Sequence, residues 1–196
     1  MTDTITYSPL YFCNSALLAL GTDELTNFDD TKLEAKIAKQ LYPLVLDGLL
    51  TRHRWRFLLK ENLSLLPIDE KNSIWQKHYP DYQQYQLPNQ LLLLLSPIAG
   101  NNNDYIIADN ILLSRAAKPT IDCLLKTTEE FFPVYFAKLL VSFLMAELAL
   151  PITEDITRAD FLIRKANREF KETKKEDALL TDNQPAKIHF ILTENR

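Results

Sequence analysis

A change of period at Leu49-Leu50-Thr51-Arg52-His53-Arg54-Trp55-Arg56-Phe57 constrains this chain more than any other feature. Before it, apolar residues recur at helical spacing. Within it, Trp55 and Phe57 alternate with Arg54 and Arg56 at the period of a strand. The segment predicts a junction at which a helical layer hands over to a small sheet. Trp55 and Phe57 would share one face as a large aromatic anchor, with the arginines on the other.

Helical signals lie on both sides of this junction. Ser8-Pro9 reads as an N-cap followed by proline in the first turn, and Gly21 as a stop, which predicts a helix over 8–20. Asp29-Asp30-Thr31 reads as the cap of a second helix over 30–51. Its apolar stripe would be Leu33, Ile37, Leu41, Leu44, Val45 and Leu49, with Lys32, Lys36 and Lys39 opposite and Pro43 inside. Thr128, followed by Glu129 and Glu130, predicts the start of a third helix over 128–150. Phe132, Phe136, Leu139, Leu140, Phe143, Leu144 and Leu148 cover more than one of its faces, as in a central helix, and Pro151 would end it. Thr153 would cap a last helix over 153–175, with Lys171, Lys174 and Lys175 in its final turn.

Between the second and third helices the pattern is that of strands. Residues 57–65 alternate, and Leu91 to Leu95 form an apolar run bounded by Pro88 and Pro97, read as a buried strand. Gly100-Asn101-Asn102-Asn103-Asp104 is a turn cluster, and Asp109-Asn110 predicts a tight hairpin turn between 105–107 and 111–113. Thr120 to Leu125 completes a small antiparallel sheet placed within 55–126. Residues 1–178 form a single domain in this reading, and 179–196 a polar tail. Within that tail Lys187 to Leu192 is a strand-like piece suited to docking on a neighbour.

An apolar share of 46% and a charged share of 24% are those of a soluble globular protein. The net charge of −4 argues against a sequence-independent DNA coat, but not against a protein that surrounds a DNA channel, whose acidic lumen would let DNA slide. Cys13 and Cys123, without CxxC spacing, read as small buried hydrophobes in a reducing cytoplasm. The opening MTDTITYSPLYF has no basic n-region, so no secretory leader is expected. The apolar run over 131–152 is interrupted by Pro133, Lys138, Glu147 and Pro151, and reads as a buried core helix rather than a membrane span.

No catalytic template fits. His53, His78 and His189 are scattered without partners at ligand spacing. The only glycines are Gly21, Gly48 and Gly100, which leaves no phosphate-cradling loop. Capping explains the pairs Asp29-Asp30 and Glu129-Glu130 better than acid–base work. The expectation is therefore no catalytic residue, no metal and no cofactor. Arg52, Arg54 and Arg56 could bind phosphate while Trp55 stacks on a base. The simpler reading makes Trp55 a core anchor and pairs the arginines with carboxylates across the sheet.

Four strings, taken in order, carry a resemblance. They are Asn14-Ser15-Ala16-Leu17-Leu18-Ala19-Leu20-Gly21 with Phe28-Asp29-Asp30 after it; Leu49 to Phe57; Tyr85-Gln86-Leu87-Pro88 with Leu91 after it; and Glu147-Leu148-Ala149-Leu150-Pro151-Ile152-Thr153. Over about residues 14–175 the chain resembles the tail tubular protein A family, the head-to-tail adaptors of short-tailed phages and prophages. The stretch before Tyr85 departs from the family pattern, and Leu94 stands where the family commonly has arginine.

The resemblance implies an α+β, mainly α fold: an up-and-down helical bundle with a small antiparallel β-sheet subdomain that points toward the tail. It implies a structural, non-enzymatic virion protein at the head–tail junction, made in the cytoplasm of the bacterial host. Members form a ring, commonly of twelve copies, below the portal. The partners implied are further copies of the chain, the portal protein, a tail nozzle or tail tubular protein B-like protein, and DNA passing through the channel without sequence specificity, with no membrane. Trp55, Phe57 and Pro88 are the structural anchors of this reading. Arg52, Arg54, Arg56, Lys171, Lys174, Lys175, Ile188 and Phe190 are its partner or channel contacts. The alternative is a small nucleic-acid-binding protein that uses the basic-aromatic segment from Arg52 to Phe57.

Overall fold

In the first helix, α1 (Pro9–Leu20), each end is closed by the residue expected to close it. The Ser8 hydroxyl accepts from the Tyr11 N–H at 3.1 Å. Gly21 takes φ 91°, a left-handed conformation that glycine adopts without the strain a Cβ would bring. The computed structural model describes residues 6–68, 74–98 and 105–180. The turn cluster at 100–104 and the segment from Lys187 to Leu192, with Ile188 and Phe190, lie outside the described residues.

The second helix, α2 (Leu33–Arg52), differs from its expected form in cap and in face. Asp30 accepts from the Lys32 N–H at 3.3 Å just ahead of the helix, and Asp29 accepts from Lys39 Nζ at 2.7 Å, so neither caps it. The inward face is centred on Ala35, Ala38, Tyr42, Leu46, Leu49 and Leu50, with Ile37, Leu41 and Val45 of the expected stripe packed beside it; Leu33 and Leu44 are 63% and 69% exposed. Two alanines on that face permit a close helix approach. Tyr42 is tolerated there because its hydroxyl donates to Glu129 Oε1 at 3.0 Å. Pro43 sits on the exposed side, where water can serve the carbonyl that loses its helical donor.

The extended run expected from Arg54 onward is instead a bend. Arg56–Leu58 form a 3₁₀ turn, closed by the Leu58 N–H on the Trp55 carbonyl at 3.2 Å, and the strand begins only at Leu59. The turn brings Trp55 and Leu58, three residues apart, inward together, and both are fully buried.

Two small antiparallel sheets replace the one expected. In the first, β1 (Leu59–Ser64), β7 (Thr120–Leu125) and β4 (Leu91–Ile98) lie in the order β1-β7-β4. In the second, β2 (Leu66–Pro67), β3 (Gln83–Gln86), β6 (Ile111–Ser114) and β5 (Tyr105–Ala108) lie in the order β2-β3-β6-β5, with the short helix α3 (Ile74–His78) ahead of β3. Asp109 and Asn110 both have positive φ, 49° and 61°, and close the β5–β6 hairpin in two residues as expected.

The leucine run on β4 is half-buried rather than buried, with Leu93 43% exposed, because β4 is an edge strand, a position that also suits Pro97. Its residues divide between two cores: Leu92 and Leu95 pack on the helical core, Leu91 and Leu94 on the sheet core. On β7, Leu124 belongs to the first core, Ile121 and Cys123 to the second. The three-stranded sheet is thus the layer that joins helices to the second sheet.

The long helix α4 (Val134–Thr153) starts later than expected. Pro133 holds Phe132 extended at φ −69°, ψ 127°, so Glu129–Phe131 form only a 3₁₀ turn. It also ends later: Pro151 falls in the last turn, and Glu154 stops the helix at φ 54°. The last helix, α5 (Ile156–Leu179), is capped by Asp155, which accepts from the Arg158 N–H at 3.0 Å; Thr153 donates back to the Ala149 carbonyl instead. α4 packs against α1, α2 and α5, and eight of its residues are buried. Its length and composition would also suit a membrane span, as those of central core helices often do. With 54% helix and 20% strand the fold is α+β, mainly α.

Candidate functional site

Trp55 is fully buried where α2, α4 and α5 meet. Its indole Nε1 donates to the Leu49 carbonyl at 2.8 Å, one of the last-turn acceptors that a helix leaves without an internal donor. Its ring meets Phe136 edge-on at 5.0 Å, Phe170 at 6.1 Å, Phe57 at 6.2 Å and His53 at 4.8 Å. One side chain therefore fixes the end of α2 against both later helices.

Beside it lies the group that the sequence reading missed. Asp177 is 1% exposed although it stands near the end of α5. Its carboxylate accepts from the Arg56 backbone N–H at 3.2 and 3.3 Å and from the Tyr135 hydroxyl at 2.7 Å, and His53 Nε2 lies 3.4 Å away. Burial first, and the bond to Asp177 second, push the Tyr135 hydroxyl above its ordinary pKa, so it stays a donor. Two hydrogen-bond donors, the Arg56 N–H and the Tyr135 hydroxyl, come from two other segments to satisfy the buried carboxylate. A signal for it was present: Ala159, Leu162, Ala166, Phe170, Thr173 and Asp177 continue one inward stripe at spacings of three and four.

The arginines do not pair with carboxylates, as the simpler reading expected. Among the described residues no ion pair involves Arg52, Arg54 or Arg56. Arg52 lies over the rings of Phe170 at 4.8 Å and Phe143 at 5.4 Å, and donates to Asn167 Oδ1 at 3.2 Å. Arg54 and Arg56 are exposed. Lys174 lies over Phe170 at 5.2 Å and is half-buried, whereas Lys171 and Lys175 are exposed. Phe57 is half-buried against Phe132, Tyr135 and Phe136. Pro88 is half-buried at the turn into β4, and its carbonyl accepts from the Leu91 N–H at 3.0 Å.

Two concave surfaces flank this junction. A cleft of roughly 850 Å³ lies between α1, α4 and α5, with Tyr7, Tyr11 and Val134 along one side and Glu169, Glu172 and Glu176 along the other. A groove of roughly 400 Å³ between α2 and α4 is lined by Leu41, Leu44, Val45, Phe143, Arg52 and Glu147. Burial pushes the Cys13 thiol up to about 12 and raises Cys123 as well, so neither forms a thiolate at neutral pH. No group of three metal-ligating side chains converges among the described residues. The arrangement offers anchoring and contact surfaces. Compared with protein-family models and with curated proteins, the chain matches none.

Proposed function

We propose that the chain is a structural head-to-tail adaptor of a tailed phage or prophage. In this reading it assembles as a ring below the portal, extends the DNA channel and carries the tail nozzle. The four long helices would form the ring layer as an up-and-down bundle, with the sheets directed toward the tail. The observation that carries the reading is the junction at Leu49–Phe57. There the string that resembles the tail tubular protein A family coincides with the point where α2 ends and the sheet layer begins, held by Trp55 and Asp177. A ring subunit must keep a fixed angle between its layers if identical copies are to close, and a fully buried tryptophan at that angle serves the purpose. The competing nucleic-acid reading needs Trp55 to stack on a base, and its ring has no exposed face.

The test is the sedimentation mass of the pure chain, alone and with a portal protein from the same phage or prophage. The adaptor reading expects a multi-subunit species that co-sediments with portal. A chain that stays single-copy and indifferent to portal overturns it.

A further inference from the structure

α5 presents two unlike surfaces. Arg164, Arg168, Lys171 and Lys175 are all exposed at spacings of four, three and four residues, on the side away from its inward stripe. None takes part in an ion pair among the described residues. At the rise of an α-helix this stripe runs about 16 Å. Two large apolar side chains flank its ends, Phe161 at 60% and Leu179 at 64% exposure. The adjoining flank of the same helix, on which Glu172 lies one turn from Arg168 and Lys175, carries Glu169, Glu172 and Glu176 on the rim of the large cleft. Across that cleft stand Tyr7, Tyr11 and Val134, the last 59% exposed. Lys138 is the one cation among the described lining residues, and Lys165 reaches Glu169 at 3.7 Å from outside.

We infer that the basic stripe of one copy seats in the acidic, aromatic cleft of the next copy, and that this is the head-to-tail contact of the ring proposed above, on which the inference rests. A heterologous interface needs two different and complementary patches on one chain. Stripe and cleft answer each other in charge and in apolar content. The stripe also resembles a DNA-facing surface, but a phosphate backbone offers nothing to Phe161 and Leu179, whereas the cleft offers Tyr7, Tyr11 and Val134. Rim charges act mainly on encounter and partner choice, and like charges brought together are strongly unfavourable.

Two surface variants test this: Lys171→Glu with Lys175→Glu, and Glu172→Lys with Glu176→Lys. Thermal melts should be nearly unchanged, because all four side chains are exposed. Each variant alone should raise the concentration needed for assembly by about tenfold or more. An equal mixture should assemble again, because each reversed stripe then meets a reversed cleft in alternation. Variants that form portal-bound rings like wild type, or a mixture that fails to recover, overturn the contact and leave the adaptor reading standing. Loss of DNA retention with rings intact would make the stripe a DNA surface and overturn the contact equally. A wild-type chain that forms no ring with portal overturns both.

Discussion

Replacing Asp177 by alanine should be among the most damaging single changes to this fold, although the residue lies near the end of the last helix. Deletion of the carboxylate leaves the Arg56 N–H and the Tyr135 hydroxyl without their acceptor. Hydrogen bonds to a charged group contribute about 1.5–3 kcal/mol each. Against this stands relief from burying the charge; the variant leaves neutral donors rather than an unpaired charge, and each buried donor left unsatisfied costs about 1–3 kcal/mol. Tyr135 is only half-buried and its freed hydroxyl can turn to water, which places the expected loss near 3 kcal/mol. Asp177→Asn keeps one acceptor oxygen and should lose about 1–2 kcal/mol. Urea unfolding followed by tryptophan fluorescence and by circular dichroism gives both values, provided the two probes coincide. A loss below about 1 kcal/mol for Asp177→Ala would refute this role of the buried carboxylate. So would full additivity with Tyr135→Phe in a double-mutant cycle, because groups in contact must couple.

Stability should also fall in alkaline solution. Tyr42 and Tyr135 are both raised from the ordinary 10.0, each first by burial and then by a neighbouring carboxylate. A raised pKa contributes stability that is complete below the unfolded value and is lost as pH climbs above it. The loss should therefore begin near pH 10 and steepen beyond, and Tyr135→Phe should flatten part of the slope in unfolding measured across pH 8–11. Trp55→Phe removes the bond to the Leu49 carbonyl and leaves a small cavity, an expected loss of about 2 kcal/mol in the same urea assay. Cys13 lies in the helical core and Cys123 in the sheet core, both fully buried, so a maleimide should label neither in the native protein. Under partial denaturation the order of labelling reports which core opens first.

Much of the helical layer was legible because its signals are local. Ser8, Pro9 and Gly21 close α1 through their own backbone chemistry, and Asp109-Asn110 specifies its hairpin in the same way. The boundaries that shifted were settled by neighbours. Pro133 delays α4 by forcing Phe132 out of the helical region, while Pro151 loses its breaking effect in a final turn. The face of α2 turned only in part: Ile37, Leu41, Val45 and Leu49 still pack on the core, while close packing favours Ala35 and Ala38 over the larger Leu33 and Leu44, which no spacing rule weighs. Two sheets were read as one because strand period reports burial, not partner. The site was legible in half. Trp55 announced itself by size and setting, whereas Asp177 is polar and distant in sequence from Arg56 and Tyr135, and its role exists only once α5 folds back on the junction.

Imaging the pure chain together with its portal by electron cryo-microscopy is the most direct test of the adaptor account. It predicts closed rings of repeated copies seated coaxially on the portal, with the helical layer forming the ring and the sheets projecting away from the capsid side. Bare portals beside unassembled single copies would contradict it.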